Sequence, residues 1–351
     1  QWLGTKVASC RPSVTGMFQT VAKIVLWRAP RPLTSVPQQN VMGGSVQTTV
    51  KTSISFAGCG LHSGEPARLT IRPAMAEHGI WFQRVDLDTA PLIPARWDVV
   101  RQSPLCTTLV GEDGVTVGTV EHVMAALAGC GVHNALIEID GPEVPILDGS
   151  AVPFVRGIMQ RGLRRLPAPV RAFEVLKTVS VTSGEATAFI GPSEVLRIDF
   201  EIDFADSAIG RQYKSLNMSN GSFARELSDS RTFCRKDDVA QMQANGLALG
   251  GTPGVNAVVF DGDRVTSPGG LRHADEPVRH KMLDALGDLA LAGAPIIGHY
   301  VGTRAGHTMT NQLLRTLFAT PDAVRMITCD AETARRLPGY GLVWDELPAV
   351  A

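Results

Sequence analysis

The chain has 351 residues, of which 44% are hydrophobic and 19% are charged, and its formal net charge is -1. This length suggests two domains, and the composition is that of a globular protein that can bury a core. A charge so close to zero gives no general attraction to nucleic acid or to an acidic membrane. No run of about 18 apolar residues is present, so the sequence predicts no membrane-spanning helix.

Six cysteines are scattered along the chain without a CxxC pair. Disulfide frameworks are typical of small, cysteine-dense secreted proteins, so we expect free thiols in a reducing, cytoplasmic environment. The same scatter argues against a zinc knuckle built from cysteines.

The first 45 residues are basic and differ from the rest of the chain. They contain five Lys or Arg residues and no acidic residue, and the first acid is Glu65. Such a bias fits a targeting peptide. It also fits a disordered tail or an upstream extension of the reading frame, with starts at Met17 or Met42, and we favour this second interpretation. We expect residues 1–45 to be an extension outside the fold.

Residues 46–168 are predicted to form a first domain of strands followed by helices. A β-rich stretch at 48–56 leads through a Gly-bounded turn, 60–64, to an alternating strand at 68–73. Thr119 is a good N-cap for a helix that ends at Gly129. The pattern then predicts a strand at 134–140, a loop at 141–149 and a short helix from about residue 152.

The proline-rich segment Pro167-Ala168-Pro169 predicts a domain boundary, with a second domain at 169–337 and a tail at 338–351. The pattern predicts strands at 174–181, 196–204 and 296–301, and helices at 275–291 and 310–319. An insertion at about 235–272 carries a polar helix, 237–245, and an apolar strand, 255–260. In each half the sequence pattern therefore predicts strands with helices packed on one face, which is an α+β layout.

His280 and Asp284 provide the strongest local chemical signal. They stand at positions i and i+4 of the predicted helix 275–291, so their side chains point the same way and can meet one metal ion. Imidazole nitrogen and carboxylate oxygen suit Zn²⁺. Asp288 lies one turn further along the same face. Taken alone, the pattern fits a surface hydrogen-bonded pair better than a metal site.

A catalytic zinc requires a third protein ligand, and His122 is the candidate. Its neighbour Glu121 stands at a helix start, where the helix dipole favours the ionised carboxylate. A carboxylate beside a metal ligand is well placed to accept a proton from water. By themselves these two residues also fit a helix-start Glu followed by a core-facing His.

Two further histidines stand in Gly-bounded turns. His307 follows Gly306 and could donate a proton to a leaving amine, or it could simply cap a turn. His62, between Gly60 and Gly64, could be a further metal contact or a simple turn residue, and we favour the turn residue.

Taken together, these motifs resemble one enzyme family. The set comprises five segments in this order: Thr119-Val120-Glu121-His122, Gly141 to Ser150, Ser230-Arg231-Thr232-Phe233, His280 to Leu289, and Gly306-His307. In order and spacing the chain resembles the UDP-3-O-acyl-N-acetylglucosamine deacetylase family, from about Val46 to about Leu337. The extension before residue 46 has no counterpart in that family's core.

The resemblance implies a role for each matching position. His122, His280 and Asp284 match the zinc ligands, and Glu121 matches the general base. By the same resemblance, His307 matches the general acid or electrostatic partner, and Asp288 matches the carboxylate that orients His307. Thr232 matches the hydrogen-bond donor to the oxyanion. Phe233 and Lys281 match contacts to the sugar and to the diphosphate-bearing side of the substrate. The insertion matches the apolar passage for the acyl chain, for which the sequence suggests lining by Leu247, Leu249 and Ala257.

The family also implies a fold and a reaction. The implied fold is two similar α+β domains, each a β-sheet layered with helices, in a β-α-α-β sandwich with the active site between the domains. The implied reaction is zinc-dependent hydrolysis of the N-acetyl group of UDP-3-O-(3-hydroxyacyl)-N-acetylglucosamine to acetate and UDP-3-O-acyl-glucosamine, in lipid A biosynthesis. We expect a monomer that uses a small-molecule substrate, binds no nucleic acid and has at most transient proximity to a membrane. A hydrolase for another acylated sugar and a non-catalytic binding protein remain the alternatives.

Overall fold

A computed structural model describes residues 45–103 and 105–348. The expected N-terminal extension therefore lies outside the described residues, apart from Ser45. Seven α-helices are present in the described part: α1 (Glu121–Gly129), α2 (Val152–Arg161), α3 (Ser222–Glu226), α4 (Lys236–Ala244), α5 (Glu276–Ala290), α6 (His307–Ala319) and α7 (Ala331–Arg335). Two short 3₁₀ turns lie at Trp97–Val99 and Trp344–Glu346.

The strands of the first half are β1 (Val46–Val50), β2 (Ile54–Cys59), β3 (Pro66–Pro73), β4 (Ile80–Arg84), β5 (Leu92–Pro94), β6 (Val100–Arg101), β7 (Thr108–Val110), β8 (Thr116–Val117), β9 (Ala135–Ile139) and β10 (Leu163–Pro169). Five of them form a sheet in the order β2-β3-β9-β4-β5, in which only β4 and β9 pair in parallel. β6, β7 and β8 form a small sheet, and β1 pairs with β10.

The strands of the second half are β11 (Arg171–Val175), β12 (Val179–Ser183), β13 (Ala186–Gly191), β14 (Leu196–Asp203), β15 (Arg211–Asn217), β16 (Phe233–Arg235), β17 (Val258–Asp261), β18 (Arg264–Val265), β19 (Ile296–Thr303) and β20 (Val324–Thr328). Seven of them form a mixed sheet along the path β12-β13-β19-β11-β20, with β14 paired to β19 and to β15. The insertion contributes a separate sheet of β16, β17 and β18.

Helices α1 and α5 are buried on nearly every side. Eight of the nine residues of α1 and twelve of the fifteen of α5 are buried, which is the pattern of helices enclosed between other layers rather than lying on a surface. One apolar core joins Leu69 and Ile137 of the five-stranded sheet through both helices to Ile198 of the seven-stranded sheet. The α+β layout with helices between sheets is therefore confirmed.

A glycine lets the two central helices approach closely. A Cβ atom at Gly287, in the C-terminal part of α5, would overlap the main chain of Glu121 at the start of α1. Glycine in a helix interior costs about 1 kcal/mol relative to alanine, so its presence here indicates that the contact requires it. This approach brings the first turn of α1 to the face of α5 that carries Asp284 and Asp288.

Several predicted boundaries need correction. Thr119 does not cap α1: its φ is +56° and its hydroxyl donates to Glu143, so Val120 occupies the N-cap position. The stretch 174–181 is divided between β11 and β12. α6 begins at His307, three residues before the predicted start, because the turn closes at Gly306. The predicted boundary at 167–169 falls in strand β10, and the division into two domains stays a prediction.

Five cysteines lie in the described part, and all five are free thiols. Among the helices of residues 45–103 and 105–348, none is long and apolar enough to cross a membrane.

Candidate metal centre and active site

Three buried side chains converge where α1 meets α5. The sequence places His280 and Asp284 one turn apart on α5, and the close approach at Gly287 brings His122 of α1 against them. Ligand atoms of His122, His280 and Asp284 all lie within 4.8 Å of one another. Asp284 Oδ1 is 3.3 Å from His280 Nε2 and 3.7 Å from His122 Nε2. The structure therefore brings the three predicted ligands into one group that could hold a metal ion.

The bonding state of these atoms fits a metal. Asp284 Oδ1, which faces both imidazoles, is buried and has no hydrogen-bond partner among the described residues. Buried polar atoms normally have partners, so such atoms in a cluster indicate an ion that pairs with them. His280 Nδ1 lies 3.0 Å from the carbonyl of Ser230, to which it can donate, and this bond turns Nε2 towards the cluster. A partner of this kind is usual for a metal-binding imidazole.

The charge states of the group also suit a cation. Burial lowers the pKa of His122 to about 3, with a further contribution from His280, so its imidazole stays neutral at pH 7. Burial lowers the pKa of His280 as well. For Asp284, burial favours the neutral acid, but His280 and Lys281 outweigh it and hold the pKa well below its usual value. Neutral imidazoles and an ionised carboxylate are the forms that bind zinc.

Lys281 contacts the candidate metal group directly. Its Nζ donates to Asp284 Oδ2 at 2.6 Å, which leaves Oδ1 facing the two imidazoles. Burial would lower the pKa of Lys281, but Asp284 more than compensates, and the pKa is raised. Lys281 also lines the cavity next to the group, so one side chain both holds the carboxylate and presents positive charge to that space.

Glu121 and His307 face each other beside the metal group. His307 Nε2 is 3.8 Å from Glu121 Oε1 and 3.9 Å from Asp284 Oδ2. These separations are too long for hydrogen bonds, so Glu121 Oε1 and His307 Nε2 are both available to contact a molecule in the cavity. The first residue of α1 and the first residue of α6 supply this pair, and both side chains are buried.

Burial and neighbouring charge shift the pKa of both groups. Burial raises the pKa of Glu121 to about 8, although the nearby His307 opposes the shift. Burial alone would lower the pKa of His307, but Asp288 and then Glu121 outweigh it and raise the pKa to about 10. His307 therefore holds its proton more strongly than Glu121 does. Asp288 Oδ2 accepts from His307 Nδ1 at 2.9 Å, so the protonated ring keeps Nε2 directed at the cavity.

A cavity of about 650 Å³, here called the site cavity, opens from the metal group towards the insertion. Of the predicted substrate contacts, its lining includes Thr232, Phe233, Leu247 and Ala257. The ring of Phe233 stands edge-on to the ring of His280, with centroids 6.3 Å apart. Leu249 does not line the cavity, because its side chain points outwards and is 54% exposed.

The His62 turn is held at the same cavity by a buried carboxylate. Glu143 accepts the backbone N–H groups of His62 and Ser63 and the hydroxyl of Thr119. Burial favours the neutral acid, but these donors outweigh it and lower the pKa of Glu143. The His62 ring lines the site cavity and lies outside the candidate metal group.

Sequence reasoning gave no role to Thr107, Gly287 or Glu143, although all three shape the site. A glycine inside a long buried helix was a signal for Gly287. Glu143 stood in a segment of the family motif without an assigned role. Thr107 donates its backbone N–H to Glu121 and its hydroxyl to Asp288, and it had no sequence signal because these contacts form only on folding.

Comparison with known proteins agrees with this geometry. The UDP-3-O-acyl N-acetylglycosamine deacetylase family matches residues 47–319. Among curated proteins, the UDP-3-O-acyl-N-acetylglucosamine deacetylase of Phenylobacterium zucineum is 47% identical over 283 residues, covering 80% of this chain and 96% of its own length. The enzymes of the same name from Shewanella violacea and Shewanella woodyi are 42% and 43% identical, each covering 82% of this chain, and 94% and 95% of their own lengths. The chain therefore belongs to the UDP-3-O-acyl N-acetylglycosamine deacetylase family of enzymes.

Proposed function

We propose that this enzyme hydrolyses the N-acetyl group of UDP-3-O-(3-hydroxyacyl)-N-acetylglucosamine, releasing acetate and UDP-3-O-acyl-glucosamine in the committed step of lipid A biosynthesis. The observation that carries the proposal is the convergence of His122, His280 and Asp284 beside Glu121 and His307 in a chain of this family. The relatives' names supply the substrate.

We infer that the metal is zinc, held by His122, His280 and Asp284. Two imidazole nitrogens and one carboxylate oxygen form a donor set that zinc accepts, and three protein ligands leave a coordination position for water or substrate. When bound, zinc supplies a Lewis acid that lowers the pKa of water and polarises a carbonyl. The unpartnered Asp284 Oδ1, with His280 Nε2 and His122 Nε2 facing it, supports this assignment.

The protein side chains then divide the proton transfers. Glu121 Oε1, which is not engaged by the backbone, accepts the proton of the attacking water when the carboxylate is ionised, a form that protonated His307 favours and that a bound zinc ion would favour further. His307, protonated and oriented by Asp288, directs its Nε2 proton at the developing oxyanion and the leaving amine. The hydroxyl of Thr232 donates to the oxyanion, and a good donor of this kind stabilises the transition state by about 3 kcal/mol.

The rest of the site cavity supports a substrate with both a charged and an apolar part. Lys281 offers a cation for the diphosphate side of the substrate, and Phe233 an apolar face for the sugar. Leu247 and Ala257 of the insertion line the part of the cavity that would take the fatty acyl chain. We propose that the protein is cytoplasmic, works as a monomer and is organised in two domains, 46–168 and 169–337.

Acetate release from matched substrates tests the proposal. We expect the zinc-loaded protein to deacetylate the 3-O-acylated UDP-N-acetylglucosamine, and to turn over UDP-N-acetylglucosamine without the acyl chain far more slowly. Equal rates on both would identify a less specific sugar deacetylase. No acetate from either substrate, in a protein that binds zinc and is folded, would contradict the proposed function.

A further inference from the structure

Thr107 lies behind the two proposed proton carriers and touches the supports of both. Its backbone N–H donates to Glu121 Oε2 at 3.0 Å, and its hydroxyl donates to Asp288 Oδ1 at 2.5 Å. The side chain is 2% exposed. Thr107 immediately precedes β7, whereas Glu121 begins α1 and Asp288 is on α5, so one residue joins three separate elements.

The hydrogen bonds of Thr107 form part of a circuit of side chains that is closed except for one gap of 3.8 Å, between His307 and Glu121. Thr107 bonds to Glu121 on one side and to Asp288 on the other. Asp288 in turn accepts from His307 Nδ1 at 2.9 Å, and His307 Nε2 lies 3.8 Å from Glu121 Oε1. The carbonyl of Thr107 also accepts the N–H of Val120 at 3.3 Å. All three polar groups of Thr107 are therefore used to hold this circuit.

The geometry of the circuit decides which atoms remain free for chemistry. Because Thr107 occupies Glu121 Oε2, Oε1 is the oxygen that faces His307 and the cavity. Because Thr107 occupies Asp288 Oδ1, Oδ2 is the oxygen that orients the His307 ring. Fixing both carboxylates from one residue fixes the separation between base and acid, and misplacement of reacting groups by about 1 Å can cost about 10²-fold in rate.

We propose that Thr107 is a positioning residue that holds Glu121 and His307 in register for proton transfer, through its N–H on one side and its hydroxyl on the other. The inference rests on the proposed deacetylase function. The proposed role of Thr107 can be distinguished from a purely structural one, because a hydroxyl that only satisfied a buried carboxylate would affect stability without changing turnover.

The hydroxyl can be removed while the shape and the backbone N–H are kept. Thr107→Val deletes the bond to Asp288, and Thr107→Ser retains it. We expect Thr107→Val to lower kcat by about tenfold or more while KM and zinc content stay near the wild-type values. Thr107→Ser should recover most of the lost kcat. If the valine variant does not fold, Thr107→Ala, which also keeps the N–H, takes its place.

A double-mutant cycle tests whether the hydroxyl acts through Asp288. If it does, Thr107→Val should add little to the kcat loss of Asp288→Asn, since both changes break the same circuit. Unchanged kcat in Thr107→Val, a serine variant as slow as the valine variant, or fully additive effects would each overturn the inference. The wild type is assayed in parallel: absence of acetate release there contradicts the proposed function, whereas an active wild type with an unaffected Thr107→Val contradicts only the role of Thr107.

Discussion

The α1–α5 helix pair borders two cavities, and they differ in what their polar atoms do. The site cavity, of about 650 Å³, receives His122 and Glu121 from the first turn of α1, and His280 and Asp284 from α5. A second cavity, here called the distal cavity, has about 230 Å³ and is lined by Met124 and Leu127 of α1 with Leu286 and Leu289 of α5.

Polar groups at the distal cavity are paired with one another. Gln47 accepts from Asn134 Nδ2 at 2.9 Å and donates to Glu77 at 2.7 Å, and Asn134 accepts the N–H of Gly79 at 2.9 Å. His133 Nδ1 accepts the N–H of Thr48 at 3.2 Å. At the site cavity, by contrast, Asp284 Oδ1, His122 Nδ1 and both ring nitrogens of His62 lack partners among the described residues.

Buried polar atoms without partners, rather than a hollow in the surface, therefore mark the chemical site. Leaving a buried polar group unpaired costs about 1–3 kcal/mol of stability, so such groups are expected where a ligand or ion offsets the cost by pairing with them. The described residues of the distal cavity include no such unpaired buried atom, so we interpret their polar groups as structural. The following changes test this contrast, beginning with the largest expected effect.

Glu121→Gln should produce the largest loss. It removes the proton acceptor and keeps the shape of the side chain, so turnover should fall by about 10²- to 10⁴-fold. Zinc content, measured on the same sample by atomic emission, should remain at the wild-type level, because Glu121 is outside the metal group. Asn134→Asp at the distal cavity serves as the matched carboxylate–amide exchange, with an expected cost in stability and little change in kcat. Near-native turnover in Glu121→Gln would remove this residue from the mechanism.

Gly287→Ala should have an intermediate effect on both stability and activity. The added methyl group would overlap the main chain of Glu121, and overpacking of this kind costs about 1–3 kcal/mol in the free energy of unfolding. Since the two helices must separate to admit it, we also expect weaker zinc binding and lower kcat. Urea unfolding and zinc titration measure the two effects.

Gly157→Ala on α2 provides the control for the intrinsic effect of alanine in a helix. A Cβ there would meet the ring of Phe56, a side chain that can move, instead of a backbone. Its activity and zinc affinity should stay near the wild-type values. Equal loss of zinc affinity in both variants would show that close approach of α1 and α5 is not what builds the site.

Much of the fold could be predicted because its signals are local. The proline and acids that start α5 and the alternation in β3 depend on neighbouring residues, and both elements lie close to the predicted ranges. The i,i+4 spacing of His280 and Asp284 likewise follows from helix geometry. His122, 158 positions before His280, could be joined to them only through the family resemblance, since no local pattern encodes a contact at that distance.

What local patterns missed depends on tertiary contacts. Thr119 has the residue type of an N-cap, but the buried Glu143 takes its hydroxyl, so the chain enters α1 differently from the prediction. Thr107 reaches Asp288 across 181 positions. Leu249 fits an apolar passage by composition, yet the turn that carries it points its side chain to solvent.

His133 at the distal cavity should show the smallest effect, confined to stability. Burial lowers its pKa in the folded protein to about 4, against about 6.5 when unfolded. Between these values the unfolded chain binds more protons, so the stabilising contribution is present above pH 6.5 and is lost as the pH falls towards 4. His133→Gln should remove on the order of 2 kcal/mol of this pH dependence.

Urea unfolding of the metal-free wild type and His133→Gln at pH 7 and at pH 4.5 measures the difference. The kcat of the zinc-loaded variant at pH 7 should match that of the wild type. A large fall in kcat would show that the distal cavity takes part in turnover. Parallel pH dependence in the two proteins would show that His133 titrates normally in the folded state.

The position of zinc in crystals of the zinc-loaded protein, determined by anomalous scattering at the zinc edge, tests the metal site most directly. We expect one strong peak per chain at about 2.0–2.2 Å from a nitrogen of His122, a nitrogen of His280 and an oxygen of Asp284. We also expect no peak at the distal cavity, and loss of the peak in His280→Ala. A peak elsewhere, or none at the group formed by His122, His280 and Asp284, would contradict the account.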